Sequence, residues 1–258
     1  MNTWIKKSIE LANNPGYLDN LYNVYPMEVG AVRSIPVEVL KSIKTAYKKG
    51  DKLNLIKILL KNLDLFPIKD SYIAFLRRNP EALDINPKTV KRIGERLLQM
   101  DYDEIIKAST QPKETNRQIG PLFRKWLPSL GYPILGEDKF LKTREAAFLD
   151  GSDRYLKEFS NRVLKTKLTK GLDLLFRVNN TFIIGESKFL TDFGGHQNAQ
   201  FNDALNLLRK RSGKALRIAV LDGVLWIRGK NKMHNLIKRE KGITLSALLL
   251  KDFIKSLQ

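Results

Sequence analysis

The sequence predicts an α/β protein: a mixed β-sheet flanked by helices, preceded by an α-helical lobe. Three observations predict it. Apolar residues recur at helical spacing through the amino-terminal region, with capping and stop signals between the repeats. Apolar runs rich in branched and aromatic residues occur only in the carboxy-terminal half. Two of those runs flank Asn179-Asn180, and asparagine tolerates the positive φ of a tight hairpin turn. The 258 residues, 43% hydrophobic and 28% charged, suffice for one large domain or two modest ones with buried cores.

IPVEVLKSIKTAYKKG places Val37, Leu40, Ile43 and Ala46 at helical spacing, with Gly50 as the stop. Asp51 starts a second helix, DKLNLIKILLKNL, which closes before Pro67. Asp70 or Ser71 caps a third, SYIAFLRRN, halted at Pro80. Asn86-Pro87 opens a fourth, PKTVKRIGERLLQM, with proline at the first helical position. There is no internal repeat and no low-complexity linker. Residues 1–110 are therefore expected to form the helical lobe and residues 111–258 a second domain.

The second domain opens with QPKETNRQIGPLFRKWLPSLG, a helix with Ile119, Leu122, Phe123 and Trp126 on one face and Thr115 or Asn116 as cap. SDRYLKEFSNRVL is another, capped by Ser152, with Tyr155, Phe159 and Val163 inward. LDLLFRV and TFIIGESKFL then form the hairpin. HQNAQFNDALNLLRKR follows as a helix, ALRIAVLDG and VLWIR as two strands, and LSALLLKDFIKSL as a closing helix.

Composition excludes several chemistries. The chain has no cysteine, which removes disulfides, thiol nucleophiles and cysteine-ligated zinc. Its two histidines, His196 and His234, argue against a histidine-rich metal site or a Ser-His-Asp triad. No apolar run is long enough for a transmembrane helix, and MNTWIKKSIELANN lacks a signal-type apolar core, so a cytoplasmic location without membrane contact is expected. The formal net charge of +19 costs self-repulsion and points to a polyanionic partner. The excess is segregated: residues 201–258 hold 13 basic and 4 acidic side chains, whereas residues 101–150 hold 8 of each. Nucleic acid ranks ahead of an anionic membrane surface.

The hairpin carries the chemistry. Asp173 stands at the start of its first strand, and Glu186 and Lys188 near the end of its second. Antiparallel pairing brings them side by side, and the two-residue spacing puts Glu186 and Lys188 on one strand face. Two carboxylates and a lysine suit a hard divalent cation such as Mg²⁺ with oxygen ligands. Such a site has the elements of phosphodiester hydrolysis. Glu137-Asp138-Lys139 is a second Glu-x-Lys, but it lies in the polar segment GEDKFLKTRE rather than at the end of an apolar strand. The bland alternative is a salt-bridged rim on an ordinary hairpin.

The run GLDLLFRVNNTFIIGESKFL resembles the core of the PD-(D/E)XK nuclease superfamily, specifically its type II restriction endonucleases. Their core runs helix, three-stranded meander, helix, strand, an order that residues 113–228 follow with one extra helical insertion. Leu172 stands where the motif has proline, and Ser187 is the variable residue between glutamate and lysine. The resemblance implies that Asp173 and Glu186 bind Mg²⁺ and that Lys188 assists hydrolysis, leaving 5′-phosphate ends. It also implies double-stranded DNA as substrate, and a homodimer is expected, with no other protein partner evident. Many members add an acidic residue from ahead of the first core strand. Glu114, Glu145, Asp150, Asp153 and Glu158 are candidates, although FLDGSD also reads as a plain turn with a helix cap.

Beyond the hairpin, TDFGGHQNAQFNDAL crowds His196, Gln197, Asn198 and Gln200 into the first turn of a helix. Amide side chains there can read adenine edges. Arg209, Lys210 and Arg211, with Lys214 and Arg217, are suited to phosphates. In the lobe, Lys88, Lys91, Arg92 and Arg96 lie on or near one helix face, as in a helix entering a groove or a merely solvated basic face. The lobe is thus DNA-contacting or accessory, and its aromatic residues Tyr22 and Phe66 read as core, like Trp4 and Tyr17. Three functions stay open: a sequence-specific endonuclease, a junction or repair nuclease of the same fold, and a non-enzymatic DNA-binding protein.

Overall fold

The computed structural model describes residues 1–26, 33–111 and 119–258. The chain divides into two compact units, Glu28–Lys113 and Met1–Met27 with Glu114–Gln258.

Two helices open the chain: α1 (Thr3–Ala12), capped by Asn2 through Trp4 N, and α2 (Tyr17–Val24). Ile5, Ile9, Tyr17, Leu21 and Val24 are buried in the same core as the sheet. The expected boundary at residue 110 is corrected accordingly. The first helices belong to the sheet unit, because periodicity reveals an apolar face but not which core receives it.

The helical unit contains α3 (Val37–Lys48), α4 (Lys52–Asn62), α5 (Ile73–Arg78), α6 (Ala82–Ile85), α7 (Pro87–Leu98) and α8 (Tyr102–Ser109). Gly50, in the left-handed region at φ +66°, closes α3, and the Asp51 carboxylate caps α4 through Asn54 N at 3.1 Å. Asp70 holds the turn ahead of α5 by accepting from Tyr72 N, and it also pairs with Arg92 and Arg96 of α7. Helix α8 carries a capping box from Asp101 and Glu104 that the apolar pattern alone did not single out. Ile43, Leu55, Ile56, Leu59, Phe66, Ile93, Leu97 and Ile105 form the core, whereas Val37 at the first turn of α3 stays exposed.

The other unit continues with α9 (Ile119–Trp126), whose expected caps Thr115 and Asn116 lie outside the described residues. Then come β1 (Ile134–Leu135), α10 (Glu137–Lys142), β2 (Ala147–Leu149) and α11 (Asp153–Val163). Ser152 caps α11 as expected, but the buried face is Leu156, Phe159 and Ser160, with Tyr155 and Val163 at its margins. The hairpin is β3 (Leu174–Val178) and β4 (Thr181–Leu190), turned at Asn179, whose φ is +53°. Helix α12 (Gly195–Arg209) crosses over to β5 (Leu216–Gly223); α13 (Lys232–Arg239), β6 (Ile243–Leu245) and α14 (Leu250–Lys255) complete the chain.

The sheet order is β1-β2-β3-β4-β5-β6, with β2-β3-β4 an antiparallel meander and the β1-β2, β4-β5 and β5-β6 pairs parallel. Alternation along β3 and β4 sends Leu174, Phe176, Val178 and Ile183 into one apolar layer and Leu175 and Ile184 into another. VLWIR, expected as a strand, is instead a 3₁₀ turn at Val224–Trp226. Gly223 at φ +98° ends β5, and Trp226 buries its ring while its indole N–H donates to Leu221 O at 2.7 Å. Among the described residues no helix is long and apolar enough to cross a membrane.

Candidate active site

The site is assembled by the hairpin register. Leu174 pairs with Gly185, and the Asp173 N–H donates to Gly185 O at 3.1 Å, so Asp173 stands beside the carboxyl-terminal half of β4. Glu186 and Lys188 follow Ile184 on one strand face, while Ser187 points to the opposite face. Lys188 Nζ lies 3.6 Å from Asp173 Oδ2 and 3.6 Å from Glu186 Oε1. The Ser187 N–H donates to Asp173 Oδ2 at 2.9 Å. From α9, Arg124 Nη1 approaches Asp173 Oδ1 at 3.4 Å.

Glu186 is only 9% exposed. Burial pushes its carboxyl above the ordinary glutamate range, with the Lys188 ammonium offsetting part of the effect. A buried carboxylate left short of positive charge fits a divalent cation. Among the described residues no group of three or more His, Asp or Glu side chains is placed to hold a metal ion, so a cation here would have the two hairpin carboxylates as its protein ligands. A cavity of about 300 Å³ opens over Asp173, Glu186 and Lys188, and Lys170, Gln200 and Asp203 complete its polar wall. Lys170 and Asp203 pair at 2.6 Å. Neither was marked by a motif; Asp203 reaches the site because α12 packs across β4, and Lys170 reaches it from the segment ahead of β3.

Of the upstream acids, Glu114 lies outside the described residues. Asp150 lines a small cavity together with Asp173 and Arg124. Glu145 and Asp153 are exposed, and Glu158 pairs with Arg154 on the surface of α11. Ser152 in FLDGSD caps α11, so that segment is at least a turn with a helix cap.

The polar turn of α12 is only partly as expected. Gln197 is buried and donates to Thr191 Oγ1 at 3.1 Å, so it presents no edge to a base; this corrects its assignment as a reader. It sits one helical turn ahead of buried Phe201 and shares that inward face. Asn198 spends its amide N–H groups on Phe193 O and Gly194 O. His196 is exposed, and its Nε2 lies 3.0 Å from Nε2 of Gln200, which reaches the cavity. Arg211 and Lys91 are exposed and Arg209 faces Glu240. Arg92 pairs with Asp70 and lies over the Tyr72 ring. Arg217 donates to the carbonyls of Ala215 and Ser212, which removes it from the expected phosphate-tracking set.

A buried glutamate, a half-buried aspartate, a lysine beside both and a solvent-reaching cavity on a strongly basic chain can bind a cation and present it to a phosphodiester. No curated protein matches the chain. A family model described as Tsp45I type II restriction enzyme matches residues 2–257, which spans both units. The chain belongs to the Tsp45I type II restriction enzyme family, and so to the enzymes that cleave DNA at specific sequences.

Proposed function

We propose that the chain is a Mg²⁺-dependent type II restriction endonuclease of the PD-(D/E)XK kind, with Asp173 and Glu186 as metal ligands and Lys188 as a catalytic residue. The observation that carries this is Lys188 Nζ lying 3.6 Å from both carboxylates at the floor of one cavity. The meander β2-β3-β4 followed by α12 and the parallel strand β5 supports the superfamily core. When bound, the cation supplies Lewis-acid polarisation of the phosphodiester and neutralises charge that develops in the transition state.

The chain's own groups do the rest. The Ser187 N–H and Arg124 hold the Asp173 side chain in place at the cavity. The Lys188 ammonium stabilises the growing negative charge of the phosphoryl group and can hand a proton to a reacting oxygen. Lys170, paired with Asp203 at the cavity wall, adds a cation beside the DNA backbone. Of the expected readers on α12, His196 and Gln200 face bases, while Arg209, Arg211, Lys91 and Arg92 contact phosphates. One site per chain and two strands to cut make a homodimer the expected cutting unit.

The test is digestion of a long duplex by the purified protein after chelation, followed by Mg²⁺ addition. Discrete fragments that appear only on Mg²⁺ addition support the reading. Full cutting in excess chelator would remove the metal from it.

A further inference from the structure

Behind the catalytic strand, on the face opposite Glu186 and Lys188, lies a carboxylate that the cleavage chemistry does not use. Asp222 of β5 is fully buried. It is satisfied by Tyr17 Oη at 3.2 Å, Tyr25 Oη at 3.0 Å, Ser246 Oγ at 2.5 Å and the Ala247 N–H at 3.2 Å. These partners come from α2, the residue that follows it, and the turn after β6. Four donors converge on one acceptor group.

The proton bookkeeping then has one solution for an ionised carboxylate, which only accepts. Tyr25 gives its proton to Asp222, so its oxygen is left to accept from Ser187 Oγ, 3.2 Å away. The Tyr25 ring is 1% exposed and stacks against Phe189 at 5.3 Å and Phe123 at 6.5 Å, which holds its hydroxyl in place. Ser187 separates Glu186 from Lys188, and its own N–H is the 2.9 Å donor to Asp173. The peptide that links all three site residues is therefore gripped from the rear by Tyr25 and from the side by Asp173.

We propose that Tyr25, anchored on Asp222, is a positioning residue that sets the separation of Asp173 and Glu186 by holding Ser187. This rests on the reading of Asp173 and Glu186 as metal ligands. It assigns the amino-terminal segment a function in cation binding, although that segment is distant in sequence from the hairpin.

The experiment compares wild type, Tyr25→Phe, Ser187→Ala and the double variant in the full chain. It measures the single-turnover cleavage rate against Mg²⁺ concentration, duplex binding in chelator, and thermal unfolding. Tyr25→Phe should raise the Mg²⁺ concentration at half-maximal rate several-fold and lower the saturated rate by roughly tenfold, within the range for groups that orient metal ligands. Binding in chelator should be unchanged. The double variant should be no worse than the more affected single, because both changes break one bond. Ser187→Ala, the smaller alteration, supplies the same readout should Tyr25→Phe fold poorly. An unchanged Mg²⁺ midpoint in Tyr25→Phe and Ser187→Ala would overturn the proposal, as would multiplying effects in the double variant. Asp173→Ala is run alongside: if it still cuts with a wild-type Mg²⁺ response, the metal-ligand reading fails instead.

Discussion

Asp173, Glu186 and Lys188 were legible because two physical rules converge on them: a short asparagine turn fixes the hairpin register, and strand alternation places residues two apart on one face. Arg124, Asp203, Tyr25 and Asp222 were not legible, since each arrives from another element through packing that no local spacing encodes. Gln197 shows the reverse error. Its residue type suits base reading, but its position one turn before Phe201 turns it inward. Substitutions at two places test these roles. Asp173→Ala and Glu186→Ala should each cut cleavage by at least on the order of 10²-fold while duplex binding in chelator persists, because the basic surface is untouched. A digest and a binding isotherm on the same preparation check both halves. The second concerns Asp222, whose burial raises its carboxyl to about 6, partly offset by its hydrogen bonds. The folded state then holds the proton more tightly than the unfolded chain does. This group's contribution is thus fully present below the unfolded value near 3.8 and is lost as pH rises through about 6. Asp222→Asn should flatten that part of the stability curve, by up to about 3 kcal/mol across the window. Unfolding curves that keep the wild-type slope between pH 4 and 6.5 would show that the carboxyl does not titrate there.

Elements with strong punctuation were readable: Gly50, the Asp51 cap, Pro87 at the first turn of α7, Ser152 and Asn179 all do what their chemistry dictates. Short or context-driven elements were not. Strand β6 has three residues, too few for alternation to register, and VLWIR has strand composition but follows a glycine whose φ of +98° ends the extended run. The centre of β4 is closely packed on both sides. Gly185 lies between two neighbours, and a Cβ added there would sit 2.9 Å from Ile218 Cγ1, 3.1 Å from the Ile218 carbonyl and 3.1 Å from Leu174 Cδ2. The Ile218 carbonyl and the packed side chains of Ile218 and Leu174 leave little room to relax, so Gly185→Ala should destabilise by about 1–3 kcal/mol. Because Gly185 precedes Glu186 and accepts from Asp173 N, cleavage should fall more than stability alone accounts for at a temperature where the variant remains folded. Denaturant unfolding beside a cleavage assay separates the two; a variant as stable as wild type would mean that the sheet spreads at this point without cost.

At the scale of the whole molecule the excess of positive charge, +19, is the property visible before any element is known, and the family match gives it a partner. The structure adds which cations are available. Arg217 is committed to the Ala215 and Ser212 carbonyls, whereas Arg211 and Lys91 stand exposed. Each phosphate neutralised by a cation releases condensed counterions, so the logarithm of affinity should fall linearly with the logarithm of salt at about −0.9 per contact. Arg211→Ala and Lys91→Ala should therefore each weaken duplex binding and make the slope shallower by about one. Arg217→Ala should leave the slope unchanged while it lowers stability, since its loss strands two carbonyls rather than a phosphate. Fluorescence anisotropy of a labelled duplex over a salt series measures all three. A wild-type slope in Arg211→Ala and Lys91→Ala would move the DNA path to other surfaces of the chain. A shallower slope in Arg217→Ala would mean that its guanidinium leaves the carbonyls when DNA arrives.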